Sequence, residues 1–300
     1  MKFVIVIFVV FGCVCADDFV PNDWKFVRSP LDAPRYQEVL NHIFPPSTFG
    51  GALGRGGRIA GGVNAMLGQF PHQALLLTRD TLGDDYICGG SIISHNWILT
   101  AAHCLENIVK VSVYVGITDR INGPAVWGME IANHSDLIVH EDYTLLNVRN
   151  DIALIRLRST ITDDVNIGYA QLPSRSDASA LLDGKVAMIS GFGRTSDTSG
   201  PSQFLKWVQT PLAPGEKCVK VFGKTNFRPT NLCLDTAGGR SSCQGDSGGG
   251  LTVEVNGRRI LAGIVSYGAA VSCTSNYPAV YTRVTSFLNW IQEKTSIHID

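Results

Sequence analysis

The stretch Leu251-Thr-Val-Glu-Val-Asn-Gly-Arg-Arg-Ile-Leu-Ala-Gly-Ile-Val265 decides the fold class of this chain. Two apolar or alternating runs flank Asn256 and Gly257. An Asn-Gly pair is typical of the two-residue type I′ turn that joins antiparallel strands. The stretch therefore predicts a β-hairpin in the C-terminal part of the chain.

Short apolar runs of the same kind recur upstream of this hairpin, between turn residues. They cover residues 73–78, 87–93, 97–101, 109–116, 152–157 and 185–191. Many short strands with turn signals are typical of an all-β sandwich or barrel. Helical periodicity is convincing only near the C-terminus and predicts a helix over about 285–294. No repeat of fixed period interrupts this pattern.

Composition excludes two broad classes of protein. The chain has 300 residues, and its 25 Lys and Arg nearly balance its 26 Asp and Glu. Nucleic-acid-binding proteins usually carry a basic excess, which is missing here. With 45% hydrophobic and 17% charged residues, the chain is too apolar to be disordered. The length suits one large domain or two small ones.

The N-terminus predicts secretion. Met1-Lys2 precedes an apolar run over residues 3–15, and small residues lead to a cut after Ala16, as in a signal peptide spanning 1–16. A membrane anchor is disfavoured because a span needs about 20 apolar residues. Six cysteines remain in the mature chain, and an even number in an oxidising compartment suggests three disulfides among 15 pairings. No CxxC spacing supports a zinc site.

Residues 17–58 form a separate segment with five of the 13 prolines, no cysteine and a glycine-rich end. Within it, an apolar stripe follows Asp32 and Pro34 at helical spacing, formed by Tyr36, Val39, Leu40, Ile43 and Phe44. Two interpretations remain open at this point. The segment is either a mostly disordered spacer or an amphipathic helix that docks on another surface.

Three motifs together supply a base, an orienting carboxylate and a nucleophile. They are Leu99-Thr-Ala-Ala-His-Cys104, Asn150-Asp-Ile-Ala-Leu-Ile-Arg-Leu157 and Cys243-Gln-Gly-Asp-Ser-Gly-Gly-Gly250. Each one alone has a structural explanation as a strand end, a turn or a loop. Through these motifs the chain, from about Ile59 onward, resembles the chymotrypsin-like (trypsin-fold) serine proteases. The resemblance implies two antiparallel six-stranded β-barrels with a C-terminal α-helix and a barrel boundary near 165–175.

The resemblance also implies the catalytic roles. His103 corresponds to the general base, Asp151 to the carboxylate that orients it, and Ser247 to the nucleophile. The backbone N–H groups of Gly245 and Ser247 correspond to the oxyanion hole.

The activation site is implied in the same way. Arg58-Ile-Ala-Gly-Gly62 is similar to the family's activation sequence, with Ala60 in place of the more usual valine. Cleavage after Arg58 would free the amino group of Ile59 to pair with Asp246 and order the nucleophile loop. We therefore expect residues 17–58 to be a prosegment, residues 59–300 the protease domain, and the secreted form a zymogen.

The family's bridges imply the disulfides Cys88–Cys104, Cys218–Cys233 and Cys243–Cys273. The family's first pocket has its floor at Ser241, a neutral residue that disfavours a Lys or Arg side chain. Its other implied positions are Ser242, Ser266, Tyr267, Gly268 and Ala279. Ala279 stands where glycine is more usual and makes the pocket narrower or shallower. These residues predict cleavage after Phe, Tyr, Leu or Met, with aromatic and aliphatic preference both open.

The resulting hypothesis is a secreted serine endopeptidase that acts on polypeptides as a monomer. A trypsin-like activator is implied because Arg58 does not suit the enzyme's own pocket, and protein protease inhibitors are further candidate partners. We expect no nucleic-acid or membrane partner, no cofactor and no metal, since residues 116–130 offer few carboxylates. Asn133-His-Ser135 is one N-glycosylation sequon. The alternative function is a non-catalytic homologue that acts as a binding or regulatory protein.

Overall fold

The computed structural model describes residues 28–43, 62–180, 182–269 and 272–300. The predicted signal peptide and the predicted cleavage site at Arg58 and Ile59 lie outside these ranges. No helix in the described ranges is long and apolar enough to cross a membrane.

The first sheet is antiparallel and has seven strands. Their order is β6-β5-β2-β3-β4-β8-β7. The strands are β2 (Gln73–Asp80), β3 (Asp85–Ser94), β4 (Trp97–Thr100), β5 (Ile108–Val115), β6 (Trp127–Ile131), β7 (Leu137–Val139) and β8 (Ala153–Arg156).

The second sheet closes on itself. Its strands are β9 (Val186–Gly191), β10 (Lys206–Ala213), β11 (Asn231–Leu234), β12 (Gly250–Val255), β13 (Arg258–Tyr267) and β14 (Ala279–Arg283), and the short β1 (Val63–Asn64) pairs with β10. β9 pairs with both β10 and β12, which completes a six-stranded barrel.

The predicted trypsin-like all-β fold is therefore confirmed, with one difference in the first half. The first sheet is a curled half-barrel of seven strands rather than a closed barrel of six. The extra strand, β7, is only three residues long and follows a 3₁₀ turn at His134–Asp136. After that turn, β7 pairs with β8 and not with β6, so β6 and β7 lie at opposite edges of the sheet.

The predicted hairpin is β12–β13. Val255 pairs with Arg258 across the turn, while Asn256 and Gly257 have φ of 51° and 74°. Positive φ at both central residues is the type I′ requirement that this dipeptide meets at low cost. The C-terminal helix is also present, as a 3₁₀ turn over Val284–Phe287 and a helix over Leu288–Thr295.

Two further helices complete the described chain. Helix α1 (Pro34–Ile43) follows a 3₁₀ turn at Pro30–Asp32, so the upstream segment contains the helix that one of the two interpretations required. Helix α2 (Gly215–Asn226) was not predicted, and it contains Cys218. Gly223 has φ 77° inside α2, which interrupts the regular helical pattern. The C-terminal helix is α3.

The hydrophobic core ties the two halves together. Helix α3 follows the last strand of the second barrel, yet Trp290 and Ile291 belong to the core cluster of the first sheet, with Ile98 and Val113. The second barrel has its own interior cluster, which includes Tyr281. Burial of such side chains contributes about 1.5–3 kcal/mol each. Packing of α3 against the first sheet thus joins the two halves.

Candidate active site

His103 and Asp151 are brought together by strand pairing. His103 lies in a single 3₁₀ turn directly after β4, and Asp151 lies two residues before β8. β4 and β8 are antiparallel neighbours, with Thr100 opposite Ala153. Antiparallel pairing places the end of one strand beside the start of its neighbour in the sheet. Two residues 48 positions apart in sequence therefore meet at one edge of the sheet.

The two side chains form a buried hydrogen-bonded pair. Nδ1 of His103 lies 2.9 Å from Oδ2 of Asp151, and the backbone N–H of His103 donates to Oδ1 over 3.0 Å. Burial alone would raise the pKa of Asp151, but the charge of His103 and its hydrogen bonds lower the pKa overall. An ionised Asp151 only accepts hydrogen bonds, so Nδ1 carries the hydrogen. In the neutral imidazole this leaves a lone pair on Nε2.

Asp151 is also held by the second barrel. The hydroxyl of Ser266 in β13 donates to Oδ2 over 2.6 Å, and the hydroxyl of Thr282 in β14 donates to the backbone carbonyl of Asp151 over 2.8 Å. Ser266 was expected only as a substrate-binding residue, and Thr282 was not singled out. No sequence pattern indicated either contact, because the pairs are 115 and 131 residues apart.

Ser247 lies on the second barrel, three residues before β12. Its carbonyl accepts a hydrogen bond from the N–H of Gly89 over 2.7 Å. A Cβ on the next residue, Gly248, would lie 2.1 Å from Oγ1 of Thr100, so only glycine allows this close approach. The backbone of Ser247 and Gly248 therefore packs closely against β3 and against the end of β4, the strand that leads to His103. Within the described residues, Nε2 of His103 has no hydrogen-bond partner.

Asp246, beside Ser247, is a buried carboxylate in a cradle of backbone. It accepts hydrogen bonds from the N–H of Gly193 over 2.8 Å and of Cys243 over 2.9 Å. A Cβ at Gly191 would lie 2.1 Å from its Oδ1. Burial raises the pKa of Asp246 to about 7, although both hydrogen bonds act in the opposite direction. None of the ion pairs in the described part of the chain includes Asp246.

The loop before Ser247 contains Gly245, which has φ 95°. This is backbone that side-chain-bearing residues rarely adopt, so glycine is required at this sharp turn. A Cβ here would also lie 3.0 Å from Cα of Gly193. The predicted oxyanion-hole residues thus lie in a constrained loop between β11 and β12.

The predicted pocket residues line one cavity beside Ser247. They are Ser241, Ser242, Ser266, Tyr267, Gly268 and Ala279. Ser241 is 3% exposed, and the Ser242 hydroxyl accepts a hydrogen bond from Tyr281 over 2.8 Å. A Cβ at Gly268 would lie 4.0 Å from that of Ala279. These two residues therefore lie close together in the lining of the cavity. Among the described residues that line it, none carries a charged side chain.

The three disulfides join the pairs that the resemblance implies. Cys88–Cys104 anchors the turn that carries His103, and Cys243–Cys273 joins the Ser247 loop to the cavity wall. Cys218–Cys233 connects α2 to β11. Cys88, His103 and Cys104 also form a cluster of possible metal ligands in the described residues. It does not suit a metal, because both sulfurs are in a disulfide and the histidine binds Asp151.

Besides Thr282, sequence reasoning missed three residues near this site. Tyr36 was noted only as part of an apolar stripe, whereas its hydroxyl lies 3.0 Å from the carbonyl of His103 and 2.9 Å from a carboxylate oxygen of Glu106. Arg194 pairs with Asp32 at 3.0 Å. Neither Glu106 nor Arg194 is part of a recognisable motif, so no local signal could have identified them.

The family model described as Trypsin matches residues 59–291. The chain belongs to the trypsin family. Brachyurin from Leptuca pugilator is 40% identical over 240 residues, which cover 80% of this chain and 99% of the relative. A chymotrypsin from Phaedon cochleariae is 31% identical over 297 residues, which cover 97% of each chain.

A solved structure of the trypsin fold gives the same result. HL collagenase has a TM-score of 0.72 and 30% sequence identity, over 80% of this chain and 99% of its own. The protein is therefore a chymotrypsin-like serine endopeptidase of the trypsin family, and its substrates are polypeptides.

Proposed function

We propose that the protein is a secreted zymogen that, once cleaved after Arg58, hydrolyses polypeptides after large hydrophobic residues. The observation that carries this proposal is the buried His103–Asp151 pair beside Ser247 and a pocket with the neutral floor Ser241. The chemistry follows the Ser-His-Asp template for acyl transfer.

The first half of the reaction transfers the acyl group to the enzyme. Oγ of Ser247 attacks the substrate carbonyl while Nε2 of His103 takes the hydroxyl proton. Asp151, kept ionised by its hydrogen bonds, stabilises the imidazolium that forms. The tetrahedral oxyanion is bound by the backbone N–H groups of Gly245 and Ser247, each worth about 3–4 kcal/mol in the transition state. His103 then protonates the leaving amine as the peptide bond breaks.

The second half releases the product and restores the enzyme. A water molecule gives a proton to His103 and attacks the acyl carbonyl. The ester bond to Ser247 then breaks, and the proton returns from His103 to Oγ. The product leaves with a new carboxylate. Because the same imidazole acts as base and then as acid in both halves, its orientation by Asp151 serves every proton transfer.

The pocket selects the residue before the cleaved bond. Ser241, Gly268 and Ala279 present small, neutral groups to the substrate side chain, so a buried cation would lack a partner. An apolar side chain instead gains from leaving water. The backbone of residues 266–268 lies at the end of β13 and offers an edge on which an extended substrate adds as an antiparallel strand.

Activation uses the carboxylate of Asp246. Its pKa of about 7 reflects burial without a cationic partner in the described chain. The new ammonium group of Ile59 supplies that cation in this proposal. The pair then holds the loop carrying Gly245 and Ser247. Removing one partner of a buried charge pair costs about 3–5 kcal/mol, which is enough to act as a switch.

Secretion is supported by the three disulfides and by the predicted signal peptide. Asn133 is exposed and caps a 3₁₀ turn by accepting from Ser135, so its side chain lies at the surface for glycosylation. A trypsin-like protease serves as activator, and protein inhibitors that present an apolar residue would fit the pocket.

The purified zymogen tests this proposal before and after limited trypsin treatment. A fluorophosphonate probe reports the reactive serine, and peptide substrates ending in Phe, Leu, Ala and Arg report the pocket. We expect labelling only after the cut at Arg58, with Phe or Leu preferred. A Ser247→Ala chain, cut in the same way, is the matched control for labelling.

Two outcomes would overturn parts of the proposal. A preference for Arg would mean that Ser241 is not the pocket floor. No labelling despite a clean Ile59 terminus, once gel filtration has also removed the cleaved upstream segment, would favour a binding or regulatory role over catalysis.

A further inference from the structure

We propose that residues 28–43 are an inhibitory segment that occupies the active-site cleft and stays bound, without a covalent tether, after the chain is cut at Arg58. This inference rests on the proposed function, since it concerns access to the same site. It assigns to the upstream segment a ligand-like role that is separate from the ordering of the Ser247 loop by Ile59. The described contacts fall into four groups along the segment.

The segment is first anchored on the backbone of β3. The N–H of Arg28 donates to the carbonyl of Asp85 over 3.3 Å, and the N–H of Ile87 donates to the carbonyl of Arg28 over 2.7 Å. This forms a parallel bridge between Arg28 and Tyr86. Cys88, two residues further along β3, is bonded to Cys104 beside His103. The anchor therefore lies at the edge of the catalytic cleft.

The next contact is an ion pair between the segment and the second barrel. Oδ2 of Asp32 lies 3.0 Å from the guanidinium of Arg194, and both side chains are partly buried. Asp32 also accepts the N–H of Ser29, which closes a capping box around Pro30–Asp32. Arg194 donates its own N–H to the carbonyl of Gln244, next to Gly245. The segment thus contacts the barrel beside the proposed oxyanion loop.

The third contact lies over His103. Tyr36 is fully buried in the described chain, and its ring meets the imidazole edge-on with centroids 6.3 Å apart. Its hydroxyl lies between the carbonyl of His103 and the carboxylate of Glu106. Burial and the charge of Glu106 raise the pKa of Tyr36, so the hydroxyl stays protonated and able to donate. A buried, hydrogen-bonded tyrosine of this kind is a typical hot spot of an interface.

The fourth contact is with the specificity pocket. Leu31 and Gln37 line the same cavity as Ser241 and Ser247. The side-chain amide of Gln37 donates to the carbonyl of Leu31 over 2.5 Å, which holds the two residues together. The space left is about 60 Å³, room for a few water molecules. A large apolar substrate side chain would have to displace the segment.

The segment covers the site without presenting a bond for cleavage. A substrate would be extended along residues 266–268, whereas Pro30–Asp32 and Pro34–Ile43 are helical and bond mainly within themselves. No backbone hydrogen bond of the described segment reaches residues 266–268. Because residues 17–58 contain no cysteine, the cut at Arg58 leaves only these non-covalent contacts. Full activity then requires a second step, dissociation.

The experiment uses the full chain, cut once after Arg58. One half of the sample is assayed directly, and the other half is assayed after gel filtration under conditions that remove the segment. We expect specific activity to rise on dilution in the unseparated half and to stay constant in the separated half. A synthetic peptide of residues 28–43, added back to the separated enzyme, should inhibit hydrolysis competitively.

Peptide variants test the named contacts without affecting folding of the enzyme. Tyr36→Ala should raise the inhibition constant by about 30-fold or more, because it removes a buried anchor. Asp32→Asn should raise it by about fivefold, as befits a partly exposed ion pair. Glu38→Gln is the matched control at an exposed position and should leave inhibition unchanged within about twofold.

The outcomes separate this inference from the proposed function. If the separated enzyme is active but the peptide does not inhibit it, and dilution has no effect, the inhibitory segment is wrong while the protease stands. If the fluorophosphonate probe does not label the separated enzyme and the enzyme cleaves no substrate, the proposed function itself fails. Equal inhibition by the Tyr36→Ala and unchanged peptides would also overturn the proposed docking.

Discussion

Ser266 donates its hydroxyl to Oδ2 of Asp151 over 2.6 Å, on the same oxygen that binds Nδ1 of His103. The two residues belong to different halves of the molecule. The contact therefore fixes Asp151, which lies in the first half, against β13 of the second barrel. It couples the orientation of His103, the proposed general base, to the proposed substrate-binding edge.

Replacing this hydroxyl tests the coupling. We expect Ser266→Ala to lower kcat/KM by about tenfold after activation, because a hydrogen bond to a charged group is worth about 1.5–3 kcal/mol and water can partly replace it. Steady-state hydrolysis of a Phe-ending substrate is the measurement. Ser176→Ala, at an exposed serine outside the proposed site, is the control, and its kcat/KM should equal that of the unchanged enzyme. Equal rates in all three would mean that Asp151 needs no support from β13.

The pocket floor offers a change of specificity. Ser241→Asp places a carboxylate at the base of a cavity with no charged lining in the described chain. A substrate cation then gains a partner. We expect the ratio of kcat/KM for Arg-ending over Phe-ending substrates to rise at least about tenfold. Ala279→Gly, which enlarges the same cavity without charge, should leave the preference for apolar residues in place. An unchanged ratio of kcat/KM for Arg-ending over Phe-ending substrates in Ser241→Asp would mean that Ser241 does not contact the substrate side chain.

Asp246 predicts a pH dependence of zymogen stability. In the uncleaved chain its carboxyl holds a proton up to a pKa of about 7, whereas the unfolded group releases it near 3.8. Its stabilising contribution is full below 3.8 and is lost as pH rises toward 7, by about 3–5 kcal/mol in total. The test compares an Arg58→Gln chain with the same chain that also carries Asp246→Asn. Between pH 3.8 and 7 we expect the free energy of unfolding to fall more in the chain that keeps Asp246.

Comparing these two chains also removes the effect of other groups. Burial lowers the pKa of His72 to about 4, so this histidine contributes stability that is gained as pH rises over part of the same interval. Because His72 is present in both chains, its effect cancels in the difference. Denaturant unfolding at several pH values provides the measurement. Parallel curves for the two chains would contradict a raised pKa of Asp246.

The activated enzyme should lose activity in alkaline solution. An α-amino group titrates near pH 8, and a buried carboxylate partner holds it charged to a higher pH. In the proposed mechanism the Ile59 amine becomes neutral above that pH, and its pair with Asp246 is lost. We expect kcat/KM to decrease on the alkaline side while the acyl-enzyme chemistry of Ser247 itself is unaltered. A profile that stays flat to about pH 11 would rule out the amine as the switch.

The sequence predicted those parts of the fold that depend on strong local preferences of the backbone. Asn256-Gly257 predicted the β12–β13 hairpin because few other dipeptides accept positive φ twice. Helix α2 was missed because Gly215 and Gly223 weaken its helical signal and Cys218 was considered only as part of a bridge. The closure of β9 on β10 and β12 depends on long-range pairing that no local pattern encodes.

The site was predictable through its motifs and less so through its contacts. The residues that resemble a known family came together at the cleft, as with His103 and Asp151. Contacts such as Tyr36 with His103 join positions 67 residues apart and follow no motif. An apolar stripe on a short helix indicates that something is buried, but its partner is set by the shape of the whole cleft.

The closed second barrel has a consequence for an enzyme that digests proteins. Hydrolysis requires a length of chain that can be drawn out into an extended strand. In a barrel where β9 pairs on both sides, every strand is already held by two neighbours, so unravelling one means breaking two ladders at once. The strands of the second barrel are therefore poor substrates for another copy of the enzyme, and cuts in this half of the molecule are expected in its loops.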